Sequence, residues 1–147
     1  MGMELNLLEE DGANLEILKA GISLHKKHRE LLHHGDFHRL DTPAHVNAVG
    51  VVSSARSEAL FSWCNMTGHR ETVPGRIYVP GLDPNKVYRT QIVWPSPVKS
   101  VSKPSVLEAL ELNGDGALLP GEALAHVGLQ IPLLHPETCL IYRLEAV

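Results

Sequence analysis

The spacing of apolar residues changes period around Pro43, and that change limits the fold more than any single motif does. Before it, Leu15, Leu18, Ile22, His25, Arg29 and Leu32 step by three and four, with Ile17, Gly21, Leu24, His28 and Leu31 as the adjoining row. Steps of that size line one face of a helix. Later, short runs rich in Val, Ile, Leu and aromatics alternate with turn clusters, as strands do. The strands read this way lie near 37–40, 46–53, 58–66, 76–80, 87–94, 107–112 and 138–145. The breaks are SSARS at 53–57, Pro-Gly at 74–75, GLDPNK at 81–86 and NGDG at 113–116. Pro95, Pro97 and Pro104 make 95–105 a loop or an edge. Leu140, Tyr142 and Leu144 share one strand face, and Arg143 and Glu145 the other. Ala59, Phe61 and Trp63 oppose Leu60, Ser62 and Cys64, so that strand is expected to be buried on both sides. The pattern predicts a mainly β chain: an antiparallel β-sandwich preceded by one long N-terminal α-helix.

The helix has readable ends. Asp11 or Asn14 can cap its start, and Glu16 is expected to bring negative charge to the first turn. Histidines fill the last turn, and Gly35 follows as a left-handed cap would. Gly21 lowers helix propensity by about 1 kcal/mol against Ala, which points to a close contact there. At 147 residues the chain can hold one domain with a sizeable core.

Charge and composition remove several classes of function. A formal net charge of −4 offers no basic face for nucleic acid. No apolar run is long enough for a membrane helix, and MGMELNLLEEDG lacks the basic and apolar regions of a signal peptide, so a cytoplasmic setting is expected. Cys64 and Cys139 are too few for a disulfide scaffold and too far apart for a zinc knuckle. They read as small core residues in a reducing compartment, with a single disulfide between strands left open.

The most conspicuous candidate for chemistry is LHKKHRELLHHGDFHR, which holds His25, His28, His33, His34 and His38, five of the nine histidines. His25 and His28 share a helical face and could touch one metal. However, Gly35 separates His34 from His38, no Cys or HExxH stands nearby, and Glu30 lies on a different face from His28. The expectation is therefore no metal and no cofactor, with imidazoles favoured at a helix C-terminus on an exposed polar face. Ser53, Ser54 and Ser57 sit in a turn without a nucleophile elbow, and no Gly-rich loop opens a helix. Asp36, Asp41, Asp83 and Asp115 read as turn residues. No catalytic residue is assigned. Among Trp63, Trp94, Tyr78, Tyr88 and Tyr142, an aromatic platform for sugar is the alternative reading, with Trp94 (before Pro95) and Trp63 as its substrate-binding candidates.

Four motifs, in order, cover nearly the whole chain. The first runs from Gly2 through His25-Lys26-Lys27-His28-Arg29, Leu31-Leu32 and Gly35 to Arg39-Leu40. The others are VVSSARSEALFSW, PGRIYVPGLDPNKVYR and PGEALAHVGLQIPLLHPETCLIYRLEAV. Together they resemble the end of the catalytic barrel and the C-terminal domain of family 36 glycoside hydrolases, the bacterial α-galactosidases. His25 stands where that family has Tyr, and Pro120 where Ser is common.

The resemblance implies that residues 1–35 are the last helix of a (β/α)₈ barrel and that 36–147 form a C-terminal β-sandwich domain. It implies retaining hydrolysis of terminal α-galactosides by two barrel aspartates upstream of this chain, and hence a non-catalytic domain that supports the barrel. Gly2, Met3 and Glu4 would be its nearest residues to the active-site rim. The upstream barrel is the expected partner. Leu15, Leu18 and Ile22 would face the barrel wall, and in isolation the chain's own sandwich or a second copy of the chain, with a homo-oligomer expected; no nucleic-acid or membrane partner is expected.

Overall fold

Asp11 opens the first helix. Its carboxylate accepts from the Asn14 backbone N–H at 2.8 Å, which satisfies one of the helix's unpaired amide donors. The computed structural model describes residues 11–67, 75–94 and 115–147. Helix α1 spans Gly12–Lys27 and α2 spans Arg29–His34. Among the described residues eight strands follow the helical segment: β1 Asp36–Arg39, β2 Val46–Val52, β3 Glu58–Asn65, β4 Arg76–Ile77, β5 Val87–Trp94, β6 Ala117–Pro120, β7 Leu129–Gln130 and β8 Thr138–Ala146. A short helix α3, Gly121–His126, lies between β6 and β7.

Six strands form one antiparallel sheet in the order β1-β2-β3-β8-β5-β6, and β4 pairs with β7 in a second, two-stranded sheet. Alternation decides which side chains fill the space between them. From the large sheet come Ala48, Val52, Phe61, Trp63, Tyr88, Ile92, Leu140, Tyr142 and Leu144, all at most 2% exposed. Ile77, Val79, Leu124, Leu129, Ile131 and Leu134 close the core from the other layer. The sandwich expected from the sequence is present, with its second layer built largely from irregular chain around two very short strands. Both sides of β3 are occupied as expected: Leu60 is buried, and Ser62 and Cys64 are half-buried, on the side away from this core.

The helical segment corrects three expectations. It is broken at His28, where φ is −108° and ψ is 18°. Glu16 falls beyond the first turn of α1 and pairs instead with Lys19 at 2.6 Å on the surface. Gly35 is not left-handed; its φ of −78° and ψ of 163° are extended. A Cβ at Gly35 would lie 2.7 Å from the Leu31 carbonyl oxygen and 2.8 Å from that of Val52. Glycine is needed there because backbone passes against backbone where α2 turns into β1.

The strand expected over 76–80 is shorter, since only Arg76 and Ile77 pair. The expected strand at 107–112, the proline-rich stretch 95–105, most of NGDG and the Gly2–Glu4 segment lie outside the described residues. Among the described residues no helix is long and apolar enough to cross a membrane.

Candidate functional site

The second face of the large sheet carries Val49, Val51, Leu60, Ser62, Cys64, Cys139 and Ile141, and α1 lies across it. A bulge between Ile92 and Trp94 turns the end of β5 so that Trp94 pairs beside Ile141 on this same side. Beneath α1 is a cavity of about 400 Å³ whose walls include Leu24, His25, Leu60, Trp94 and Ile141. Gly21 lies directly over the indole, as a Cβ there would stand 4.0 Å from Trp94 Cη2. A Cβ at that distance makes only ordinary van der Waals contact, so the tight approach expected at this glycine is not found. Helix α1 has no fully buried residue: Leu15, Leu18, Ile22 and Leu24 are half-buried, and Ile17 is 57% exposed.

Two groups tie the helical segment to the sheet. Leu31 of α2 is buried. One turn earlier, His28 is 3% exposed, and its Nδ1 lies 3.1 Å from Glu58 Oε1 on β3. The same carboxylate oxygen accepts from Arg143 Nε at 2.9 Å, and Arg143 Nη1 reaches Glu145 Oε2 at 3.0 Å. Register makes this possible, because Glu58 faces Glu145 and Leu60 faces Arg143 across β3 and β8. Burial lowers the His28 pKa below its usual 6.5 against the pull of Glu58, so the imidazole is neutral at pH 7 and donates from Nδ1. Its Nε2 is buried with no partner among the described residues. Desolvation also opposes the charge on Arg143, but hydrogen bonds and attraction from Glu58 and Glu145 leave its pKa raised.

The five histidines therefore separate. His28 is a buried structural group, contrary to the exposed polar face expected for the cluster. The rings of His25 and His33 meet edge to face at 6.1 Å. His34 lies 3.6 Å from Glu30 on the surface. His38 packs over the turn at Gly81, where a Cβ would stand 2.6 Å from its Nε2. Among the described residues no group of three or more His, Cys, Asp or Glu is arranged to hold a metal. Cys64 and Cys139 face each other across β3 and β8 and are joined as a disulfide, so the expectation of two reduced core thiols gives way to the alternative left open.

Asp83 Oδ1 accepts from the Asn85 amide at 3.0 Å within its turn, while Asp36, Asp41 and Asp115 are exposed. Of the aromatics, Tyr88 and Tyr142 are fully buried, and Trp63 at 2% exposure offers solvent no ring face. Trp94 is half-buried under α1. Tyr78, 55% exposed, borders a smaller cleft of about 210 Å³ with Arg39, Asp41, Arg76 and the edge of Trp63. Sequence reasoning missed the tie between His28 and Glu58, which joins distant segments. Only the single polar position in an otherwise apolar helical row (Ile17, Gly21, Leu24, His28, Leu31) hinted at it.

Comparison with known proteins gives this architecture relatives. The model of the glycosyl hydrolase family 36 C-terminal domain matches residues 46–144. An α-galactosidase of Escherichia coli is 30% identical over 99% of this chain, which spans only 21% of that protein's length. Among solved structures, an α-galactosidase from Lactobacillus brevis matches 98% of the chain at 20% identity with a TM-score of 0.75, the chain covering 18% of it. A family 36 α-galactosidase from Geobacillus stearothermophilus in complex with raffinose matches 98% at 24% identity with a TM-score of 0.76, the chain covering 17% of it. These structures share the fold. The family match spans most of the chain and both layers of the sandwich, and the chain belongs to the glycosyl hydrolase family 36 C-terminal domain family.

Proposed function

We propose that the chain is a non-catalytic domain of an α-galactosidase, and that it braces an upstream (β/α)₈ barrel through α1. The observation that carries this reading is the helix itself. Sixteen residues long, it holds Leu15, Leu18 and Ile22 only half-buried and Ile17 largely in water. A helix that keeps an apolar row and buries none of it fully in its own domain is shaped to meet a second surface. The carboxylates support the non-catalytic part: Glu58 and Glu145 are engaged by Arg143, and Asp83 by its own turn. Hydrolysis of terminal α-galactosides with retention would belong to the barrel. The test is the thermal inactivation of a polypeptide carrying that barrel, with and without residues 11–147. Bracing predicts a lower inactivation temperature without the domain and unchanged turnover per folded molecule. An unchanged inactivation temperature would refute it. The same helix face would associate isolated chains, giving a light-scattering mass above one chain at high concentration.

A second reading, sugar binding by this domain, has one observation in its favour. The cleft beside Tyr78 joins an exposed aromatic face to two guanidiniums and a carboxylate. An aromatic face and nearby polar groups suit a pyranose. Titration with galactose, melibiose and raffinose, followed by Trp fluorescence and by the Tyr78→Ala variant, decides it: no change up to high millimolar sugar removes this reading.

A further inference from the structure

We propose that His28 is an acid-sensitive latch: neutral, it holds α1 on the sheet, and on taking up a proton it lets the helix go. Three features of the seam carry this inference, and none depends on what the barrel does.

The first is mechanical. The helix breaks at His28, and everything fully buried lies at the break or after it, in His28 and Leu31. Residues 12–27 form an arm without an anchor of its own. The second is the setting of the ring. Its Nδ1–H donates to Glu58, while Nε2 is buried without a partner among the described residues. As a lone pair, Nε2 tolerates this. As N–H⁺ it would be a charged donor in a dry site with no acceptor, the costliest kind of unsatisfied group. The proton is therefore accepted when Nε2 reaches water, and that requires the ring and the helix turn carrying it to move.

The third feature is the surrounding charge. From β3, Glu58 favours the protonated ring; from β8, Arg143 opposes it, with Glu145 behind; from α1, Lys27 opposes it. The cleft beside Glu58 is lined by Glu30 and His34 of α2. One carboxylate oxygen thus serves both Arg143 and His28. Arg143 is the closer partner, so Glu58 is not free to follow a departing imidazolium.

The sign follows from linkage. The docked state has the lowered pKa and the undocked state the ordinary one near 6.5, so the undocked state binds more protons. Docking is at full strength above about pH 6.5 and weakens as pH falls toward the lowered value.

The experiment is an NMR titration of the 147-residue chain from pH 7.5 to 5, reading the His28 ring together with amide protection in α1 and in β3. The latch predicts that protection in residues 12–27 is constant above about pH 6.5 and falls below it, by at most about tenfold per pH unit, while β3 keeps its own. His28→Gln, which retains an N–H donor for Glu58 and cannot titrate, should hold α1 protection flat. Should that variant not fold, Glu58→Gln serves: losing the charge that favours protonation lowers the docked ring's pKa further, so the acid loss starts at the same pH and runs on to a lower one. Constant α1 protection in the native chain, the same acid loss in His28→Gln, or an acid loss in Glu58→Gln that levels off at a higher pH than in the native chain overturns the proposal.

Discussion

Removing the phenolic oxygen from Tyr88 and from Tyr142 is one chemical change made twice in one core, and the consequences should differ in sign. Both rings are fully buried in the large sheet. Tyr88 hydroxyl donates to the Arg56 carbonyl at 2.7 Å and accepts from the Asp83 amide at 3.0 Å. It pins two turns to β5, including one in which Arg56 has a φ of 51°, a left-handed conformation disfavoured for its side chain. Tyr142 hydroxyl is buried with no partner among the described residues. Burial raises both phenol pKa values, so neither ionises near neutrality and the comparison is between uncharged groups.

Tyr88→Phe strands a donor and an acceptor in part-buried turns, at a cost of about 1–3 kcal/mol. For a domain of this size that lowers the melting temperature by roughly 3–10 °C. Tyr142→Phe removes a polar group that burial penalises and nothing offsets. It should leave stability unchanged or raise it by up to about 2 kcal/mol. Denaturant midpoints of the three chains at pH 7.5 measure both effects. If Tyr142→Phe destabilises as much as Tyr88→Phe does, hydrogen-bond accounting in this core is wrong.

Other consequences follow from single contacts. Gly50 faces Phe61 across β2 and β3, and a Cβ there would collide with the ring, so Gly50→Ala should destabilise by about 1–3 kcal/mol in a denaturant melt. The Cys64–Cys139 link predicts no alkylation before reduction, and reduction should cost about 2–4 kcal/mol by closing no loop in the unfolded chain. Because Arg143 holds Glu58 and Glu145 in a partly exposed cluster on β3 and β8, Arg143→Gln should weaken the melt modestly at low salt and less in 1 M salt, where exposed charges are screened.

What could be read in advance depended on how far the deciding contact lay along the chain. The period of three and four in residues 15–32 and the strand patterns near 46–53, 58–66, 87–94 and 138–145 are local; the strand patterns correspond to β2, β3, β5 and β8, while the helical one runs across α1 and α2 with a break at His28. β7 has two residues, too few to alternate, and was not recognisable. Helix α3 was missed although Pro120 before it, Glu122 in its first turn and His126 in its last are ordinary signals, because its six residues are shorter than the usual helical window. Gly35 was correctly seen to end the helix but for the wrong reason, since its constraint is the carbonyl of Val52 on another strand. His28 shows the same limit: a histidine in a histidine-rich stretch looks exposed until Glu58 and Arg143 arrive from distant strands.

The central claim, that this domain supports chemistry carried elsewhere, is tested most directly by incubating the purified 147-residue chain with a chromogenic α-galactoside. The account predicts no release of chromophore above buffer at any chain concentration. Saturable turnover that rises in proportion to the chain would contradict it.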